Sequence, residues 1–263
     1  MKSRNAVKIN DLTFSYDEEP VLEKINLTIE TGKFYGLLGP NGSGKTTLLR
    51  AIAGLLDVKT GTILVRDKDL KRFGTRDLAK EMAVVPQNTE VRFGFSVFDL
   101  VLMGRAPYLS RFAAEGSKDL RIAQEMMELT DIWRLRDRSI NTLSGGEKQR
   151  TVIARALTQQ TGIILLDEPV SQLDIYHQIE IIKKLKVWNR ERGITVVAAL
   201  HDLNLAAAFC DYLILMNHGK IHSMGTPDEI LKRETIKEIY GVEVEIIKTP
   251  ESGKPYVVPK LSP

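Results

Sequence analysis

Apolar and polar residues alternate from Ala6 to Tyr16 and again from Val21 to Glu30. A period of two sends one face of each segment into a core and the other into water, so the pattern predicts two antiparallel strands. From Lys45 to Ala53 the period lengthens. Leu48, Leu49 and Ile52 fall on one helical face there, and Gly54 is suited to end the helix. Short unbroken apolar runs recur at Met82 to Val85, Ile163 to Leu166, Ile194 to Leu200 and Tyr212 to Met216, with helical patterns between them. Runs without alternation suit strands buried on both faces, and the intervening helices suit the crossovers of a parallel sheet. The expected fold class is therefore α/β.

Between Gln87 and Ser144 the strand-like runs vanish, and helical candidates at Val97 to Met103 and Ser117 to Leu129 take over. This predicts a helical subdomain inserted into the core. Beyond Pro227 two short helical pieces lead to Val242 to Ile247 and Tyr256 to Val258, with Pro250-Glu251-Ser252-Gly253 as a hairpin turn. The expected organisation is one domain: a core of 1–87 and 161–226, a helical subdomain of 88–160 and an appendage of 227–263. The chain contains no internal repeat, low-complexity segment or sustained heptad pattern.

A length of 263 residues with 43% hydrophobic content allows a sizeable core. With 37 basic and 34 acidic residues the net charge is +3, too even for the electrostatic footprint of nucleic-acid binding, and no nucleic-acid partner is expected. Arg134, Arg136 and Arg138 read as a solvated face. Cys210 is the single cysteine, which excludes an intrachain disulfide and suits a reducing compartment. His177, His218 and His222 lack a partnering carboxylate or thiolate cluster and read as surface or packing residues. The amino terminus lacks a signal-peptide core, and no apolar run approaches the roughly 18 residues that span a bilayer. Service to a membrane would have to come from the side, through a partner.

The run Gly39-Pro40-Asn41-Gly42-Ser43-Gly44-Lys45-Thr46 fits G-x-x-x-x-G-K-[ST], after an apolar stretch, Lys33 to Leu38, that reads as its feeding strand. Glycines there let successive backbone N–H groups turn onto a polyphosphate, and the following helix offers the positive end of its dipole. Lys45 would reach the terminal phosphates and Thr46 would hold Mg²⁺. Ile163 to Leu166 ends in Asp167-Glu168, a buried strand opening onto carboxylates. Successive strand side chains point to opposite sides, so Asp167 suits the Mg²⁺ shell while Glu168 suits a general base acting on water. A second glycine pair opens a second helix at Leu143-Ser144-Gly145-Gly146-Glu147-Lys148-Gln149-Arg150. One nucleotide hardly needs two cradles, so the spare one suggests that each chain completes the site of another.

Together GPNGSGKTT, LSGGEKQR and ILLDEP, in this order, resemble the ATP-binding subunits of ABC transporters over nearly the whole chain. The resemblance implies the ABC ATPase fold, a P-loop NTPase core with an N-terminal antiparallel β subdomain and an inserted α-helical subdomain carrying the signature. ATP and Mg²⁺ are the implied ligands. It extends the phosphate loop to Thr47, sets Tyr16 on adenine, makes Gln87 the Q-loop residue that joins Thr46 and Asp167 at the metal, and makes Ser171-Gln172-Leu173-Asp174 the D-loop. His201 is the implied switch histidine at the γ-phosphate, and Ser144, Gly145 and Gly146 are implied to bind the nucleotide of a second copy in a head-to-tail homodimer. Lys45, Gln87, Glu168 and His201 form the implied catalytic set. Where the family usually reads EPTS, this chain has Glu168-Pro169-Val170-Ser171, and none of the assigned roles uses the missing hydroxyl.

VLMGRAPYL, HDLNLAAAFCD, EIYGVEVEI and SGKPYVVP look like the importer subfamily for iron-siderophore complexes, haem or cobalamin, with molybdate and tungstate importers similar in the same segments. The implied place is the cytoplasmic face of the cell membrane, with an integral-membrane permease as partner and an external binding protein acting indirectly. Phe93, Phe95, Phe98, Tyr108, Leu109 and Phe112 are expected to form either the permease groove or a local core. An exporter ATPase or a soluble ABC assembly protein would share the nucleotide residues. A DNA-maintenance ATPase would need a long coiled coil and a basic face, both lacking, and a small-molecule kinase would leave the signature helix without a role.

Overall fold

The computed structural model describes residues 4–59, 61–87, 94–110 and 114–260. In chain order, β1 (Asn5–Ser15), β2 (Pro20–Glu30) and β3 (Phe34–Leu38) precede α1 (Lys45–Ile52), β4 (Ile63–Val65) and β5 (Lys68–Asp69). Next come α2 (Thr75–Glu81), β6 (Met82–Val85), α3 (Val97–Leu102), α4 (Ser117–Leu129), α5 (Gly145–Thr158), β7 (Ile163–Asp167) and α6 (Ile175–Arg192). The chain continues through β8 (Thr195–Ala199), α7 (Leu203–Phe209), β9 (Tyr212–Asn217) and β10 (Lys220–Gly225). It ends with α8 (Pro227–Ile230), α9 (Arg233–Tyr240), β11 (Val244–Lys248) and β12 (Pro255–Pro259). Two compact units result: Met1–Arg72 with Trp188–Pro263, and Phe73–Val187.

In the first unit the alternating segments pair as antiparallel β1 and β2, with Val7 opposite Ile29 and Ile9 opposite Leu27, all four buried. The sheet order there is β2-β1-β4-β5. The unbroken runs form a second set of strands in the order β10-β9-β3-β8, with β3 parallel to both β8 and β9. Every residue of β3 and β8 is buried, which is why neither alternates. Burying each such Leu or Val contributes about 1.5–3 kcal/mol. Tyr35 is polar-tipped yet fully buried; its hydroxyl accepts from the Glu30 N–H at 3.0 Å, and burial pushes its pKa up to about 12. Strand β10 departs from the parallel pattern. It returns antiparallel to β9, and its sequence KIHSMG is only partly covered, so it carries no apolar run to read.

The second unit holds β6 and β7 as parallel neighbours, Val85 opposite Leu166. Its helical part centres on α3, α4 and α5. Arg105 is 5% exposed; its Nε donates to Asp119 Oδ1 at 2.8 Å and its Nη1 to the Thr158 carbonyl at 3.1 Å. Phe98 and Trp133 are both half-buried and pack edge-on at 6.1 Å, whereas Phe95 and Tyr108 are exposed. Leu109 is half-buried. Phe93 and Phe112 lie outside the described residues.

Candidate active site

Strand β3 runs out at Leu38 into a loop that only glycine can make. At Gly39, where φ is 147°, an added Cβ would collide with the Met216 carbonyl oxygen. At Gly44, where φ is 98°, it would sit 2.9 Å from Leu22 Cδ2 and 3.1 Å from the Val21 carbonyl. Lys45 is buried, and its ammonium donates to the Gly39 and Pro40 carbonyls at 2.7 and 2.9 Å. Asn41 and Gly42 are exposed at the tip, Thr46 is half-buried and Thr47 is buried. Helix α1 starts with no side-chain cap and no acidic residue in its first turn, which leaves its positive end to an outside anion. Ser43 Oγ is buried without a hydrogen-bond partner. An uncapped helix start, an orphan hydroxyl and a lysine folded over the loop fit a polyphosphate.

The neighbouring strand β8 ends beside this loop. The Leu200 N–H donates to the Leu37 carbonyl at 3.1 Å, so the exposed His201 leaves the sheet at the same edge as Gly39. Tyr16 is 52% exposed and meets Phe14 edge-on at 5.0 Å, which leaves ring surface open.

In the second unit, Asp167 is the last residue of β7 and only 6% exposed. Glu168 follows with φ at 50°, a left-handed conformation unusual for a residue with a side chain. The turn is held by Ser171, whose N–H and Oγ both donate to the Glu168 carbonyl, at 3.3 and 3.1 Å. Val170 points into the core at 8% exposure, which accounts for an apolar side chain where a hydroxyl is usual. Gln87 lies just past β6 and is half-buried, beyond the strand end that neighbours Leu166. Within this unit Gln87 and Asp167 offer oxygen donors, the chemistry that a hard cation such as Mg²⁺ prefers.

Ser144 caps α5. Its Oγ accepts from the Glu147 N–H at 3.3 Å, while Glu147 Oε2 accepts from the Ser144 N–H and Oγ, both at 2.9 Å. The Ser144 N–H holds the Glu147 carboxyl below its usual range. Gly145 and Gly146 lie under the 171–174 loop, where added Cβ atoms would come within 3.3 Å of Gln172 Oε1 and Leu173 Cδ2. The buried Gln149 amide then donates to the Pro169 carbonyl at 3.1 Å, tying α5 to the residue after Glu168. Gln149 carried no signal of its own beyond its place in the signature run. The first unit thus gathers Gly39 to Thr47 and His201, and the second holds Gln87, Asp167, Glu168 and Ser144 to Gly146.

The sequence profile of the ABC transporter family matches residues 22–171, more than half of the chain. The chain belongs to the ABC transporter family. Within it, the chain is 36% identical to the iron(3+)-hydroxamate import ATP-binding protein FhuC of Bacillus subtilis, over 95% of this chain and 93% of that one. It is 39% identical to the ferric enterobactin transport ATP-binding protein FepC of Escherichia coli, over 94% and 92% of the two. The hemin import ATP-binding protein HmuV of Rhodococcus jostii is 39% identical, over 92% and 82%. Among solved structures, an inward-facing metal-chelate type ABC transporter matches with a TM-score of 0.83 at 28% identity, covering 98% of both chains. A dimeric ATP-binding cassette in a post-hydrolysis state, bound to ADP and Pi, matches with a TM-score of 0.76 at 29% identity, covering 84% of this chain and 98% of that one. The chain therefore has the ABC ATPase fold and is an ATP-binding, ATP-hydrolysing subunit coupled to transport.

Proposed function

We propose that this subunit hydrolyses ATP at the cytoplasmic face of the membrane to power import of a metal chelate of the siderophore, haem or cobalamin class through an integral-membrane permease. The observation that carries this reading is the match to siderophore-import ATP-binding proteins along nine-tenths of both lengths. No helix among the described residues is long and apolar enough to cross a membrane; in this reading a separate permease supplies the path. An external binding protein would select the cargo, which never touches this chain. The exposed Phe95, Met103 and Tyr108 suit the permease-facing surface.

Tyr16 stacks on adenine, and the loop from Gly39 to Thr47 wraps the phosphates with its N–H groups. Lys45 exchanges two carbonyl partners for phosphate oxygens. Thr46, Gln87 and Asp167 would hold Mg²⁺, which would supply charge neutralisation at the phosphates. Glu168 takes a proton from the attacking water as its oxygen bonds to the γ-phosphorus and ADP leaves. His201 donates to the γ-phosphate and keeps water and base aligned. Ser144, Gly145 and Gly146 of a second copy contact the same nucleotide, so two chains arranged head to tail close on ATP and part after hydrolysis.

Two variants test this. Glu168→Gln should bind ATP normally, lose nearly all turnover and run as a dimer by light scattering with ATP and Mg²⁺; a monomer under those conditions would sink the shared site. Lys45→Ala should lose nucleotide affinity itself. The trapped Glu168→Gln dimer, tagged and mixed with solubilised membranes of the source cells, should retain a polytopic permease, which can then be reconstituted with candidate chelates.

A further inference from the structure

Arg150 closes the signature run on α5, and no role above uses it. It is 5% exposed, yet its Nε has no hydrogen-bond partner, and no hydrogen bond or ion pair ties the guanidinium to another described residue. Among the described residues Ser43, Arg150 and Ser223 carry buried polar side-chain atoms left without a partner, and Arg150 is the charged one of the three. A buried donor with nothing to bond is costly, and the cost rises when the group is ionised. Arginine has no escape by deprotonation, because it keeps its proton at any ordinary pH.

The residue lines a cavity of about 290 Å³, near the lower end of the roughly 300–1,000 Å³ usual for small-molecule sites and far beyond what one water needs. Every wall lies within the second unit. One is the face of α6 on which His177, Glu180, Ile181 and Lys184 recur at helical spacing. Another is the end of α4, where Glu128 in the last turn and Asp131 just beyond it are exposed, and where the helix presents the negative end of its dipole. His177 ties the cavity to its surroundings. Its N–H donates to Asp174 Oδ1 at 2.9 Å, and its Nδ1 lies 2.9 Å from both oxygens of that carboxylate. The cavity therefore backs onto the 171–174 loop that covers Gly145 and Gly146.

The charges around the cavity select its occupant. A simple anion would pair with Arg150 but would also meet Glu128, Asp131 and Glu180. A simple cation would suit those carboxylates and leave the guanidinium unpaired. A molecule carrying both charges a few bonds apart satisfies both walls. Its carboxylate lies along the guanidinium, whose planar fork favours two parallel N–H bonds to one carboxylate, and its ammonium lies at the end of α4. We propose that this cavity binds a small zwitterion of the amino-acid type, held by Arg150 at one end and by Glu128 and Asp131 at the other. The site draws on none of the ATP assignments, so it stands or falls apart from them.

The full chain, free of nucleotide, is titrated with glycine, L-leucine and L-glutamine, and with acetate and ethylamine as carriers of one charge each, by isothermal calorimetry and ligand-observed saturation-transfer NMR. At least one zwitterion should bind with a Kd below about 1 mM. Acetate and ethylamine should bind at least about ten-fold more weakly. Arg150→Met keeps much of the side chain's reach without its charge. It should weaken the bound zwitterion about ten-fold or more and, with no ligand present, melt at or above the parent, because it removes a buried charge that has no partner. Glu128→Gln combined with Asp131→Asn changes exposed groups only; it should weaken the same zwitterion about five-fold and melt as the parent does. No binding of any of the three zwitterions up to about 10 mM would overturn the site. Binding that survives unchanged in either variant would overturn it as well, as would an Arg150→Met melting point well below the parent's, which would reveal a protein partner for the guanidinium. Acetate binding as tightly as the zwitterion would replace the proposed ligand class with a plain anion.

Discussion

Glu168 turns back on itself at the end of β7, with φ at 50°, and a non-glycine residue pays about 1–2 kcal/mol for that conformation. Two bonds from Ser171 to the Glu168 carbonyl hold the turn in place. Strain at a carboxylate proposed to meet water is of the kind that function retains. Glu168→Gly should therefore melt above Glu168→Gln, by up to about 1 kcal/mol in stability, although both lose turnover. A glycine variant no more stable than the glutamine variant in urea denaturation would show that the turn is unstrained. The carboxylate itself was readable from Ile163 to Glu168 as a strand opening onto acids. Its backbone angle was not, because a left-handed residue that is neither glycine nor asparagine leaves no trace in composition.

Among the elements, α4 and α5 show how far pattern alone reaches. The apolar spacing over Ser117 to Leu129 predicts α4 with the bounds observed, and Ser144 with Glu147 three residues on is a capping box visible in sequence. What joins the helical part was hidden. Arg105 precedes α4 without any helical signal, yet it bonds to Asp119 near the start of that helix and to the end of α5. The guanidinium holds the Asp119 carboxyl below its ordinary range, chiefly through that hydrogen bond. A depressed folded pKa contributes stability that is complete above the unfolded value, near 3.9, and is lost as pH falls through the lower folded value. Asp119→Asn leaves a buried guanidinium unpaired and should cost about 3–5 kcal/mol at pH 7. In urea titrations the gap between parent and variant should narrow below about pH 4. A gap independent of pH would assign the loss to packing.

For the molecule as a whole, three motifs in order sufficed to name the family and fold, because phosphate chemistry fixes residue types at fixed spacings. Contacts across long stretches of chain were not legible: Asn204 meets Val257 through tertiary placement that no local period encodes. The aromatic cluster divides for the same reason. Phe98 is half-buried against Trp133, while Phe95 is 37% exposed. Phe95→Asp should thus reduce chelate uptake in vesicles reconstituted with the permease while sparing ATP hydrolysis by the free subunit. Phe98→Asp should lower the melting temperature instead, and loss of stability in both variants would remove Phe95 from the partner surface. The Ser144 cap has its own bearing on assembly. In the lone subunit its hydroxyl is already satisfied by Glu147, just as the Lys45 ammonium is engaged by carbonyls of its own loop. A phosphate arriving at either group, as proposed, would replace one partner with another, so these two groups, unlike the orphan Ser43 hydroxyl, would add little to the number of bonds. An exchange so nearly balanced can run backwards, and the resting subunit has self-contained bonds to return to when the γ-phosphate is gone.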